Sequence, residues 1–234
     1  YAKKLCDKQL PIIYNQEHLC QLLGYKKQYV YGVSNSPADF YRYYKIPKKN
    51  GDFRQISEPL PSLKEIQKWI LDNILVNVGT SVYAKAYIQN KSIKGNARFH
   101  RKQTELLSLD IKNFFDSISS DKIFDIFWNL GYKEDVVVML TNLCCLNGSL
   151  PQGAPTSPML SNIVLEDFDN EIGLYAIEQK IRYTRYADDM TFSGDFNAGK
   201  VISKVKRQLN DLGLKLNDEK TRTRGRGQRQ EVTG

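Results

Sequence analysis

The sequence predicts an α+β fold in which helices pack on an antiparallel sheet, and three observations lead there. From about residue 105 onward, short apolar strands and helical patterns follow one another as β, α, α, α, β-hairpin, α, β. Two strand patterns, 181–186 and 190–193, are separated only by Ala187-Asp188-Asp189, which is the spacing of an antiparallel hairpin. Residues 46–56 form a second hairpin pattern around Asn50-Gly51, a strong short turn signal, with basic residues on both flanks.

The elements follow in order. The first 45 residues mix short apolar patches with tyrosines and read as one or two helices leading into a strand. Across 61–78, Leu63, Ile66, Ile70, Ile74 and Val78 recur at helical spacing and predict one amphipathic helix. Residues 105–111 are a short apolar strand carrying Asp110 near its end. Ser119 and Ser120 suit the start of a helix through Leu130, with Ile123, Phe124 and Phe127 on its buried face. A further helix is expected over 134–146. The Pro/Gly/Ser loop 150–158 opens a long helix to about Gln179. After the hairpin come a helix bearing Val201, Ile202, Val205 and Leu209 and a strand near 214–217.

Composition excludes several classes. The 234 residues are 41% hydrophobic, enough to bury a core without disulfide or metal staples. No run of about 18 apolar residues exists, so no membrane-spanning helix and no membrane partner are expected. No signal-peptide pattern follows Tyr1, and a start without Met suggests a trimmed chain. Cys6, Cys20, Cys144 and Cys145 contain no C-x-x-C pair and read as thiols in a reducing compartment. With only His18 and His100 available, a His/Cys zinc site and a Ser-His-Asp hydrolase are both disfavoured. The formal charge of +8 is uneven: residues 1–50 carry +6, residues 220–234 carry +4, and the middle carries −2. Basic ends around an acidic middle suit a polyanion held at the edges and a cation-binding carboxylate cluster inside; two solvated, frayed termini would look the same.

That cluster is the chemical signal. Asp110 closes one apolar strand, and Asp188-Asp189 stand at a hairpin turn 78 residues later. Acids at the tips of apolar strands are costly unless a cation compensates them. An Asp-Asp pair alone is an ordinary solvated turn. Adjacent strands would bring the three carboxylates together as the hard-oxygen ligands that Mg²⁺ prefers, and two ions about 4 Å apart serve phosphoryl or nucleotidyl transfer.

Four segments resemble reverse transcriptases, in family order and over residues 46–234. Tyr186-Ala187-Asp188-Asp189 looks like their active-site box, and Leu109-Asp110-Ile111-Lys112-Asn113-Phe114-Phe115-Asp116-Ser117-Ile118 resembles their first catalytic motif. The loop 150–158 resembles the entry to their template-contacting helix, and 213–221 the following motif with its lysine. Within the family, Asn96-Ala97-Arg98-Phe99-His100 and Val232-Thr233-Gly234 are similar to elements of bacterial retron enzymes. The resemblance implies a right-hand polymerase with N-terminal helices and fingers at 1–103, palm at 104–118, fingers again at 119–156 and palm at 157–234. The family continues into a helical thumb; this chain stops before it, so the thumb is missing from the sequence.

The resemblance also assigns roles. Asp110, Asp188 and Asp189 become catalytic metal ligands, Asp189 as the more distant helper, with the backbone carbonyl of Ile111 as a further ligand. Two Mg²⁺ ions are implied, with Mn²⁺ as a substitute. Phe115 becomes the wall that clashes with a ribose 2′-hydroxyl, beside a core Phe114. Arg54 with Lys48 or Lys49 grips the triphosphate, a planar fork and a point charge. The backbone amides of Asn113 and Phe114 meet its phosphates, and Gln152 stands near the sugar and template base. Lys220 either protonates the leaving pyrophosphate or simply binds phosphate or faces solvent. Arg222, Arg224 and Arg226 alternate, so on one strand they would share a face toward nucleic-acid backbone. His100 reads as a structural hydrogen-bonding residue.

The expected function is RNA-directed DNA synthesis of retron type in a bacterial cytoplasm. Deoxynucleoside triphosphates are the substrates, and a cognate structured non-coding RNA serves as template and primer. A branched RNA–DNA product, antiphage defence and an accessory effector protein are implied with it. Two rivals stand beside it: a group II intron or abortive-infection reverse transcriptase, and a non-catalytic RNA-binding protein on a palm scaffold.

Overall fold

The structure is a computed structural model that describes residues 1–48 and 51–233. In chain order its elements are α1 (Ala2–Asp7), α2 (Gln16–Leu23), α3 (Lys27–Asn35), β1 (Tyr41–Pro47), β2 (Phe53–Pro59), α4 (Pro61–Asn73), α5 (Ile93–Phe99) and β3 (Glu105–Asp110). They continue with α6 (Ser120–Leu130), α7 (Glu134–Cys144), α8 (Ser157–Val164), α9 (Glu166–Glu178), β4 (Arg182–Tyr186), β5 (Asp189–Gly194), α10 (Ala198–Asp211) and β6 (Arg222–Gly225). Among these, no helix is long and apolar enough to cross a membrane.

The chain divides into two compact units, residues 1–79 with 118–164 and residues 80–117 with 165–234. These boundaries differ from the breaks expected after residues 103, 118 and 156. Residues 80–103 fall with the second unit because Ala84 bridges Arg185 on β4 and His100 bonds to Thr184 and Ser193.

In the first unit the N-terminal segment holds three helices rather than one or two. Asn15 caps α2 by accepting from the His18 amide, and Gly24 ends it at φ 74°. The hairpin β1–β2 pairs Tyr41 with Pro59 through Pro47 with Phe53. Its expected Asn50-Gly51 turn involves Asn50, which lies outside the described residues. α4 buries Leu63, Ile66 and Ile70 but stops at Asn73, and a 3-10 turn over Leu75–Asn77 replaces its expected last turn. α6 starts where expected and buries Ile123 and Phe127, yet the Ser119 hydroxyl makes no capping bond.

The long helix expected from 157 to 179 is two helices, interrupted at Leu165. Hydrophobic periodicity runs through that position, so the break left no trace in the pattern; it coincides with the boundary between the units.

The second unit is built on an antiparallel sheet in the order β4-β5-β3-β6. The inner strand β3 buries Leu106, Leu107 and Leu109, each fully buried Leu contributing about 1.5–3 kcal/mol. α10, capped by Asn197, buries Val201, Val205 and Leu209 at helical spacing. Tyr83 occupies the space over Gly173 of α9: a Cβ there would lie 2.0 Å from its ring. The strand expected at 214–217 is a single bridge between Leu216 and Ile111, and the fourth strand is β6, six residues later.

Candidate active site

The site grows from the register of two strands. β3 and β5 run antiparallel so that Asp110, the last residue of one, pairs with Asp189, the first of the other. The turn before β5 is Ala187-Asp188, closing the pair Tyr186–Asp189. The Ile111 amide donates to the Asp188 carbonyl at 3.1 Å, tying the hairpin tip to the residue after Asp110. Sequence distance is thereby cancelled, and the three carboxylates share one end of the sheet.

Asp110 is only 4% exposed. Its Oδ2 accepts from Lys220 Nζ at 2.7 Å and its Oδ1 from Asn217 Nδ2 at 3.1 Å. The Asn217 amide also donates to the Asp110 carbonyl at 2.8 Å, so the segment after α10 is buttoned to β3 at this residue. Burial, with the charges of Asp188 and Asp110 adding to it and Lys220 opposing, pushes the Asp189 carboxyl up to about 6. Burial disfavours the Lys220 ammonium, but the hydrogen bond to Asp110 and the surrounding carboxylates outweigh it and hold its pKa above the usual lysine value.

Beneath the tip, Arg185 and Asp169 form an ion pair with no exposed side-chain surface, 2.6 Å between Nη2 and Oδ2. Tyr183 donates to the same carboxylate at 2.7 Å. Because that pair is internally neutral, the tip's balance is three carboxylates against the Lys220 ammonium, an excess of two negative charges. Hard oxygens with that excess fit divalent cations. Among the described residues, no three His, Cys, Asp or Glu side chains are gathered closely enough to hold a metal by themselves.

Phe114 is buried, and Phe115 is half-buried with its ring 5.2 Å from that of Phe114. Asn113, in the turn before them, has φ 49°. In the first unit, Lys48 and Arg54 are exposed on the β1–β2 hairpin, while Lys49 lies outside the described residues. The Gln152 carbonyl accepts from the Ser57 amide at 2.8 Å, and Gly153 at φ 129° lets the loop close on β2, where a Cβ would stand 2.7 Å from the Ser57 carbonyl.

The arginines do not share one strand face as expected. Arg222 and Arg224 lie on β6, but Arg226 falls in the turn beyond it, because the strand ends at Gly225. Arg224 bonds to the Arg229 carbonyl at 2.9 Å. A cleft of about 460 Å³ is lined by Arg222, Thr223, Arg224, Gln228, Arg229 and Glu231. His100 is buried between the hydroxyls of Ser193 and Thr184, each 2.7 Å away, a structural role. Asn96 donates to Thr233 Oγ1 at 3.0 Å, joining the segment around His100 to the C-terminal one; Gly234 lies outside the described residues.

Asn217, Arg185, Asp169 and Arg229 went unassigned in the sequence. For Asn217 a signal existed: it stands three residues before Lys220, one helical turn away. Asp169 was detectable only as an acid on the face of α9 that also carries Phe168, Ile172 and Ala176.

A family model for reverse transcriptase (RNA-dependent DNA polymerase) matches residues 46–230. The retron Ec86 reverse transcriptase of Escherichia coli is 37% identical over 204 residues, covering 84% of this chain and 63% of that protein. The retron Ec83 reverse transcriptase of Escherichia coli is 36% identical over 171 residues, 69% of this chain and 55% of that one. The retron Mx65 reverse transcriptase of Myxococcus xanthus is 31% identical over 249 residues, 96% and 58%. The chain thus spans about three-fifths of the length of these relatives. Among solved structures, apo telomerase from Candida tropicalis truncated from its C-terminal domain matches with a TM-score of 0.56 at 13% identity, covering 88% of this chain and 57% of that one. Telomerase from Candida albicans in complex with a fragment of telomeric RNA matches at 0.54 and 11%, covering 80% and 43%. At such identities the likeness is one of fold, that of polymerase fingers and palm.

Proposed function

This chain belongs to the reverse transcriptase family, where its sequence sits with the bacterial retron members, and on that premise we propose that it is the fingers and palm of an RNA-directed DNA polymerase of retron type. The observation that carries the reading is the register of β3 and β5, which sets Asp110 beside Asp189 and the hairpin tip within the very segments that match the family.

In this reading the first unit is the fingers and the second the palm. Asp110 and Asp188, with Asp189 as helper and the Ile111 carbonyl, would hold two Mg²⁺ ions, Mn²⁺ substituting. Held by these residues, the ions would supply Lewis-acid stabilisation of the attacking and leaving oxygens in nucleotidyl transfer. The chain's own groups do the rest. Arg54 with Lys48 or Lys49 binds the triphosphate as planar fork and point charge, and the Asn113 and Phe114 amides meet its phosphates. Gln152 orients the sugar and template base. Phe115 excludes the ribose 2′-hydroxyl. Lys220 carries a proton at Nζ beside Asp110, positioned to neutralise the leaving pyrophosphate or donate to it. Arg222, Arg224 and Arg226 hold nucleic-acid backbone.

The template and primer are a cognate structured non-coding RNA, the product a branched RNA–DNA molecule, and the setting bacterial antiphage defence with an accessory protein. The test is sequencing of nucleic acid co-purified with the full-length protein from its native host. A unique DNA joined to RNA by a 2′–5′ bond is expected. Recovery of intron RNA, or of untemplated DNA, would contradict the retron assignment.

A further inference from the structure

Arg185 is tied down on every side. Its amide donates to the Tyr83 carbonyl at 2.9 Å, and its carbonyl accepts from the Lys85 amide at 2.7 Å. In its side chain, Nε lies 2.9 Å from Asp169 Oδ1 and 3.1 Å from Oδ2, and Nη2 lies 2.6 Å from Oδ2. With the Tyr183 hydroxyl at 2.7 Å as well, the Asp169 carboxylate is saturated. One guanidinium nitrogen points elsewhere: Nη1 donates to the Ala187 carbonyl at 2.9 Å.

Ala187 is the residue before Asp188, and it stands at φ +58°. That left-handed conformation strains an L-residue with a Cβ, and glycine or asparagine is the usual occupant of such a turn. Something must hold it there. As for the ion pair, two buried charges are a poor stabilising device, since well-packed apolar residues of similar volume often serve as well or better. Apolar residues cannot donate to a carbonyl, however, and a lysine lacks the rigid fork that grips a carboxylate and a carbonyl together.

We infer that Arg185, its guanidinium fixed by Asp169 and Tyr183, is a positioning residue that holds the Ala187 turn and thereby sets Asp188 and Asp189 in place opposite Asp110. The inference rests on the polymerase reading for its kinetic consequence, but its structural core is independent of it. The Ile111 amide, bonded to the Asp188 carbonyl, reports the position of the tip without any turnover.

The experiment compares the full-length protein with two variants. The double variant Arg185→Met/Asp169→Leu removes both charges and the bond to Ala187 while keeping volume. Arg185→Lys keeps a charge against Asp169 and carries the test should the double variant not fold. Three quantities are read: hydrogen exchange of the Ile111 amide relative to amides inside β3, Mn²⁺ affinity by electron paramagnetic resonance, and kcat and KM for deoxynucleotide addition. The expected result for a variant that melts near the wild type is Ile111 exchange at least tenfold faster, weaker Mn²⁺ binding and kcat at least tenfold lower. KM for the nucleotide should change little. Unchanged Ile111 protection and unchanged kcat in a folded variant would overturn the inference and leave the ion pair a packing feature. Absence of nucleotide addition by the unaltered protein would count against the polymerase reading alone, because exchange and Mn²⁺ binding still decide the positioning role.

Discussion

Phe115 stands five residues beyond Asp110, half-buried against Phe114, in the turn that leaves β3. An apolar wall discriminates by steric exclusion, so its selectivity should vanish with the ring and not vary with salt. Replacing Phe115 by Ala or Val is expected to raise ribonucleotide use relative to deoxynucleotide use at least tenfold, each tenfold step corresponding to ~1.4 kcal/mol. Matched single-nucleotide extensions, read as kcat/KM ratios, check this, and a wild-type ratio in the variants would make Phe115 a core residue only. His100 gives a prediction about stability instead. Burial, reinforced by the positive charges of Arg182 and Lys85, lowers its pKa to about 4 from the usual 6.5. A folded pKa below the unfolded one means that the unfolded chain binds the extra proton between those values. The stability His100 contributes is therefore complete above pH 6.5 and is lost as the pH falls toward 4, on the order of 3 kcal/mol across the window. In urea melts from pH 7.5 to 4.5, His100→Gln should be less stable than wild type at neutral pH and should flatten the acid slope; equal slopes would show His100 is not the titrating group.

At the scale of elements, Gly173 and Tyr83 show how α9 meets the segment before α5. An added Cβ at Gly173 overlaps the Tyr83 ring, which itself packs 5.6 Å from Tyr183. Gly173→Ala therefore overpacks the interface, and despite its better helix propensity it should lower stability by about 1–3 kcal/mol in thermal or urea melts. A neutral or stabilising effect would mean that Tyr83 moves aside freely. On β6 and the turn after it, replacing Arg222, Arg224 and Arg226 together should weaken nucleic-acid binding, the log–log salt slope falling by roughly 0.7–0.9 for each phosphate that is no longer neutralised. An unchanged slope would place all three outside the interface. The same elements show what the sequence could and could not disclose. The meeting of Asp110 with the Asp188-Asp189 tip was legible because strand patterns run into each of them and a short turn leaves few alternatives. β6, Arg-Thr-Arg-Gly, has no apolar alternation, so its strand character comes from pairing with β3 and is invisible locally. Leu214 and Leu216 suggested a strand, yet their burial is met by one bridge and the turn that follows. Arg185 was hidden for the opposite reason: a charge in a strand reads as solvent-facing, and only Asp169, sixteen residues earlier on α9, makes its burial tolerable.

For the whole molecule, the two interleaved units divide the labour in the proposed reading: the hairpin and loop of the first handle nucleotide and template, and the sheet of the second carries the carboxylates. The central claim is that those carboxylates are the chemical centre, while nucleic-acid affinity comes from lysine and arginine. Asp188→Asn separates the two, since it removes one charge at the hairpin tip and leaves every basic residue in place. The measurement is primer extension on an RNA template with deoxynucleotides and Mg²⁺ by the full-length protein and this variant, with RNA affinity and melting temperature taken on the same samples. Extension falling to background, with RNA affinity and melting temperature near those of the wild type, is the predicted result. A folded Asp188→Asn protein that extends the primer at a wild-type rate would contradict the account.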